Sequence, residues 1–204
     1  MQLTIEIPES AGGRTRLAPQ EWTEDEFFDF CQANGDLQIE RTETGEIIVM
    51  SPAGGYSSFQ SGEAFSQLKV WAEKDGTGVA FGANMGFLLP TGGMRSPDAA
   101  WVKRSRLKKL THREKEKFIP LCPDFLIEVA SPSDRIPELL EKMEEYQRSG
   151  LRLGWLLLPK KKRVRVYAST AAASIVLEAP ERVSADPVLP GFRLELLKIW
   201  EPPF

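Results

Sequence analysis

Phe125-Leu126-Ile127-Glu128-Val129-Ala130 is an apolar run broken by a single charge. A run of this length and composition reads as a central strand covered on both faces. Side chains alternate along a strand, so Leu126, Glu128 and Ala130 face one way and Phe125, Ile127 and Val129 the other. Glu128 is then a carboxylate where an unpartnered charge costs several kcal/mol. It calls for a cation or hydrogen-bond partners, in a structural salt bridge or as part of a site.

Downstream, Ser133 to Ser149 reads as a helix closed by Gly150, with Pro137 tolerated in its first turn. Leu139, Lys142, Met143 and Tyr146 fall at i, i+3, i+4 and i+7 and form its buried stripe. Lys142 either snorkels to solvent along its stem or points its ammonium at acids on the sheet beneath. Glu138, Glu141, Glu144 and Glu145 fall mostly outside the stripe, as a solvated face.

Upstream, Asp98 follows Pro97 at the start of a short strand running to Lys103. Strand ends are where sites on open sheets form. Two carboxylates on neighbouring strands suit a hard cation such as Mg²⁺ or Mn²⁺, which takes oxygen ligands and keeps several waters. Only one histidine, His112, and two distant cysteines, Cys31 and Cys122, are present, which disfavours zinc. Glu63 sits near the apolar stripe Phe65, Leu68 and Trp71 of a helix spanning Ser57 to Lys74, an odd place for an acid.

The remaining pattern supports an α/β domain. Thr23 to Gln32 reads as a short helix with Thr23 as N-cap. Leu37 to Arg41 and Glu46 to Met50 read as a hairpin joined through Gly45. Gly78 to Phe81, Met85 to Leu89, Leu153 to Leu158, Arg163 to Ala168 and Ser174 to Leu177 read as strands. Ser105 to Lys117 reads as one surface helix, and Phe192 to Trp200 as a short apolar segment in a Pro-rich tail. The expected organisation is one domain, residues 19–204, with a mixed central sheet flanked by helices, preceded by an extended arm over residues 1–18.

Composition narrows the function. The 204 residues are 42% hydrophobic, enough for a real core. No apolar run approaches the ~18 residues of a membrane span, and Met1 to Arg16 lacks a signal-peptide layout. Two unpaired thiols fit a reducing cytoplasm. A net charge of −3 and a pI near 5.4 argue mildly against a duplex-coating protein, although local patches set the field in a cleft. Two basic runs, Lys103 to Lys117 and Lys160 to Arg165, are either solvated turns or nucleic-acid contacts. The Gly54-Gly55 and Gly92-Gly93 pairs read as turns rather than helix-opening phosphate loops, which leaves a small-phosphate esterase without support.

Together these stretches resemble a known family. Arg95-Ser96-Pro97-Asp98-Ala99-Ala100-Trp101-Val102, Cys122 through Asp134, and Lys142-Met143-Glu144-Glu145-Tyr146 followed by Gly150 and Gly154-Trp155-Leu156 are similar to the Uma-two family of bacterial restriction-endonuclease-like proteins. Glu40-Arg41, Gly45-Glu46-Ile47-Ile48 and Met50-Ser51-Pro52 add to the likeness, which covers roughly residues 20–200. The resemblance implies a restriction-endonuclease-like α/β fold of the PD-(D/E)xK class and a metal-dependent endonuclease acting on nucleic acid, DNA foremost, as a homodimer. Asp98 would match the Asp of the Pro-Asp motif and Glu128 the second acid. The lysine that the wider superfamily places two residues after that acid is Ala130 here, and Lys142 on the following helix would replace it. Glu63 would match the acid of the N-terminal helix. Glu63, Asp98 and Glu128 would hold Mg²⁺ or Mn²⁺, and Lys142 would orient or deprotonate a water or neutralise developing charge. Tyr56-Ser57-Ser58 departs from the polar loop expected after the two glycines. The competing expectation is an inert binding module on the same fold.

Overall fold

The computed structural model describes residues 14–171 and 173–204. Residues 1–13 of the expected arm lie outside the described residues. Its last part, Arg14–Leu17, is strand β1, paired antiparallel with β3 (Ile47–Met50). The hairpin partner of β3 is β2 (Gln38–Arg41), and Met94–Arg95 (β6) and Phe87–Leu88 (β5) extend this first sheet in the order β1-β3-β2-β6-β5. Helix α1 (Glu24–Ala33) covers it. Thr23 and Glu26 close a capping box at its start, satisfying amide groups that have no partner inside the helix, and Phe27 and Phe30 pack on Ile39, Ile47, Val49 and Met94.

The second sheet carries the main core. Its order is β11-β10-β9-β8-β7-β4, from Ile175–Glu178, Arg163–Ala168, Leu153–Leu158, Phe125–Val129, Ala99–Lys103 and Gly78–Gly82. β8 and β9 are parallel, joined by helix α5 (Ile136–Arg148) as a crossover must be; the other neighbours are antiparallel. The alternation expected of the 125–130 run holds. Phe125, Ile127 and Val129 pack with Ala64, Leu68 and Ala72 of helix α2 (Gly55–Asp75) and with the C-terminal Phe192, Leu194 and Ile199. Leu126 faces Leu139, Met143 and Tyr146 of α5.

Several elements differ from expectation. The 105–117 helix is two short ones, α3 (Arg104–Leu107) and α4 (His112–Glu116), because Thr111 and Glu114 form a capping box that starts a new helix. α5 begins at Ile136, three residues late, with Pro137 in its first turn. The tail forms a small hairpin, β12 (Arg182–Ser184) with β13 (Arg193–Glu195), then helix α6 (Leu197–Trp200). Cys31 and Cys122 are free thiols.

Candidate active site

The chain leaves the first sheet at Arg95, passes Ser96-Pro97-Asp98 and enters the second sheet as β7. Ala99 pairs with Ile127, so Asp98 stands opposite Glu128 at the carboxyl end of β8, and directly opposed side chains share a face. That face is the one α5 covers. The topology thus brings both acids beneath the buried stripe of α5.

Lys142 does not reach solvent. Its side chain is 8% exposed, and its Nζ donates to Glu128 Oε1 at 2.7 Å and to Glu40 Oε1 at 2.8 Å. Tyr146, one turn on, donates its hydroxyl to the same Glu128 oxygen at 3.0 Å. Asp98 Oδ2 accepts the Val129 amide at 2.7 Å. Three of the four expected residues, Asp98, Glu128 and Lys142, line one open cavity of about 370 Å³, with Glu40, Ser96, the 51–54 loop, the start of α2 and the 131–134 loop.

Glu63 is not among them. It lies half-buried on α2 and accepts from Gln67, whose amide bridges to the backbone of Glu195. Its place on the helix turns it toward the C-terminal hairpin, away from the cavity lining. The third acid beside Lys142 is Glu40 of β2. In sequence, Glu40 alternates with Ile39 as the outward member of an ordinary half-exposed strand. Only the docking of β6 and α5 over it makes it 3% exposed.

Glu40 belongs to a second charged cluster. Arg95 donates to Glu40 Oε2 at 3.1 Å and, through Nε, to Glu145 at 2.8 Å, and the Ser96 amide donates to Glu40 Oε1 at 3.0 Å. Glu145 is therefore a buried link between α5 and β6, at 2% exposure, and not part of the solvated face. Gly93 permits this, since a Cβ there would meet Glu145 Oε1 at 2.0 Å.

The electrostatics divide the acids. Burial pushes Glu40 upward, but Lys142 and Arg95 outweigh it and hold its carboxyl down at about 2. Burial raises Asp98 to about 6 against the pull of the Val129 amide and Lys142. Burial likewise raises Glu128 to about 7, and neighbouring Asp98 and Glu40 add to the rise while Lys142 opposes it. Burial disfavours the Lys142 ammonium, yet Glu128 and Glu40 keep its pKa above the usual lysine value. It stays charged throughout the neutral range.

Two under-compensated carboxylates opening on a cavity fit a hard divalent cation. Mg²⁺ is commonly held by one or two carboxylates, with waters completing its shell. Among the described residues, no group of three or more His, Cys, Asp or Glu side chains is arranged to hold a metal. Glu40 is already committed to Lys142, Arg95 and Ser96. Asp98 and Glu128 are the carboxylates of this cavity that could hold such an ion.

A solved structure similar to this chain is the crystal structure of a putative nuclease belonging to DUF820 from Anabaena variabilis. It is 21% identical, with a TM-score of 0.65, over 79% of this chain and 89% of that one. At that identity the likeness establishes a shared mixed α/β fold. No curated protein matches the chain. The family model described as "Uma2: Putative restriction endonuclease" matches residues 24–197, spanning the second sheet, the first sheet apart from β1, Asp98, Glu128 and the whole of α5, and the chain belongs to the Uma2 family.

Proposed function

We propose that this protein is a divalent-metal-dependent endonuclease that hydrolyses phosphodiester bonds of nucleic acid, with DNA as the foremost substrate. One observation carries the reading. A lysine ammonium is held between buried acids at the floor of an open cavity, beside two carboxylates raised by burial. A merely structural ion pair gains nothing from a neighbouring, under-neutralised acid pair open to solvent, and perturbed groups of this kind cluster at functional sites.

Asp98 and Glu128 would hold Mg²⁺ or Mn²⁺. When bound, such an ion acidifies a water and stabilises charge on a phosphate oxygen. The Val129 amide fixes one oxygen of Asp98, and Tyr146 and Lys142 together fix Glu128 Oε1. Lys142 acts as an ammonium and not as a base, because two carboxylates keep its proton in place. Of its three N–H donors two are used, which leaves one to orient a water or to meet negative charge developing on the substrate. Arg95 and Ser96 hold Glu40, and Glu40 holds Lys142.

The test is incubation of plasmid, single-stranded DNA and RNA with the protein and Mn²⁺ or Mg²⁺. Cleavage should need the metal and should fall at least ~10³-fold in Asp98→Asn, in line with loss of a charge-stabilising group. Cleavage that persists in Asp98→Asn would remove the carboxylate pair from the reaction. A second reading, an inactive module on the nuclease fold, is favoured by the lack of a grouped set of three acids among the described residues. Titration calorimetry with Mn²⁺ decides between them, since equal heats from wild type and Asp98→Ala would support the inactive module.

A further inference from the structure

Two basic runs stand out in the sequence, and the fold places them at opposite edges of the second sheet. Lys103 ends β7, five residues beyond Asp98, so the run it opens lies across the sheet from the carboxylates. Much of that run is engaged. Arg104 donates to the Gly76 carbonyl, Arg106 pairs with Asp124, and Arg113 and Lys117 pair with Asp25.

The other run is on the carboxylate edge. β9 is parallel to β8 and pairs Leu156 with Glu128 and Leu157 with Val129. The Ala130 amide continues the ladder to the Leu157 carbonyl at 2.9 Å. The next residues of β9 turn at Pro159–Lys161 in a single 3-10 turn, with Lys162 in the left-handed region at φ 49°. The turn therefore lies at the same end of the sheet as Glu128, following the β9 residues that pair with the end of β8, and it packs against α6. A strand spacing of about 4.8 Å and a rise of about 3.3 Å per residue keep the Lys160 backbone within roughly 15 Å of Glu128. Its flanks are neutralised, Lys162 by Glu201 at 2.6 Å and Arg163 by Glu178 at 2.7 Å. Lys160 and Lys161, at the tip, are exposed and have no ion-pair partner among the described residues.

We infer that the Lys160–Lys161 turn grips the phosphodiester backbone of a nucleic acid lying across the carboxylate edge. The inference rests on the phosphodiesterase reading, to which it adds the contact surface. A duplex carries a phosphate on each strand about every 3.4 Å along its axis. A strand with one phosphate over Asp98 and Glu128 thus carries others past the turn. The overall acidity of the chain does not oppose this, because two free ammonium groups set the local field where the strand must run.

The experiment is fluorescence anisotropy with a labelled ~30-base-pair DNA duplex and, in a parallel arm, a single-stranded RNA, both in EDTA. Lys160→Gln/Lys161→Gln should weaken binding about tenfold at ~0.1 M salt and lower the slope of log K against log salt by about two. Lys108→Gln/Lys109→Gln, an equal charge change at the far edge, should stay within about twofold of wild type. Loss confined to one arm identifies which nucleic acid the turn meets. Equal losses in the two doublets, no loss in the first, or no binding by wild type in either arm would overturn the inference. Cleavage with Mn²⁺ is scored separately. Lysine-dependent binding by a protein that cuts nothing sinks the nuclease reading and keeps the grip. Undiminished cleavage and binding by the Lys160/Lys161 variant do the reverse.

Discussion

Glu40 and Glu128 are two buried glutamates that share one lysine, yet their environments pull them in opposite directions. Glu40 receives Lys142, Arg95 and the Ser96 amide, and its carboxyl is held down at about 2. Glu128 receives Lys142 and a neutral tyrosine, faces Asp98, and is raised to about 7. The difference is a count of cations. Glu40 meets two cations, each shared with another acid, and works as an anchor between the first sheet and α5. Glu128 has only the ammonium it shares with Glu40, and Asp98 accepts a backbone amide in place of a cation, a deficit that a divalent ion would fill.

The largest effect expected from this comparison is on the anchor side. Arg95→Leu leaves the buried Glu40 and Glu145 without their guanidinium. Stripping one partner from a buried ion pair costs about 3–5 kcal/mol. With roughly 2–4 °C per kcal/mol for a domain of this size, Tm should fall on the order of 10 °C in a calorimetric melt. A fall under ~3 °C would mean that Arg95 is not the clamp.

Asp98→Asn comes next and separates the two glutamates. Cleavage should drop about 10³-fold, or roughly 4 kcal/mol of barrier, while the Asn oxygen keeps the Val129 amide bond. Because the substitution removes a buried charge, Tm in EDTA at pH 8 should be equal to or above that of wild type. A large loss of stability would place Asp98 with the anchor.

The pH dependence follows with a smaller effect. Carboxyls raised by the fold contribute stability that is complete below their unfolded values and is lost as pH rises through the folded ones. For Asp98 that window runs from 3.8 to about 6, and for Glu128 from 4.5 to about 7. Glu40, lowered to about 2, works the other way and only below its unfolded value of 4.5. The metal-free protein should therefore lose on the order of 5 °C of Tm between pH 5.5 and 8. Mn²⁺ should restore more at pH 8 than at pH 5.5, since it competes with protons for the same oxygens. A flat Tm profile in EDTA would contradict the raised carboxyls. The smallest effect belongs to Glu63→Gln, for which cleavage should stay within about twofold of wild type. A loss above tenfold would bring the helix acid back into the site.

Much of this was legible before folding. The alternation in Phe125–Ala130, the stripe Leu139, Lys142, Met143 and Tyr146, and the Pro97-Asp98 step each name a side chain placed where its neighbours are apolar. Such anomalies can be seen in one dimension because period and polarity are local. Glu40, Arg95 and Glu145 gave no such signal. Each occupies an unremarkable polar position on its own element, and each is buried only because a distant segment packs over it. Glu63 falls outside the cavity for the converse reason. Its helix does pack on the sheet, but its place on that helix turns it toward Gln67 and the 193–195 strand.

By itself, then, the chain's order of polar and apolar residues determined a mixed α/β fold with three out-of-place acids, Glu63, Asp98 and Glu128, and an out-of-place lysine. What it could not determine was which charges would share a space, because that depends on contacts between residues scores of positions apart. Lys142 meets Glu40 across 102 positions and Glu145 meets Arg95 across 50, in an interior where leaving either charge alone would cost too much. Tertiary packing alone decided that Glu40 would meet two cations, Glu128 one and Asp98 a backbone amide.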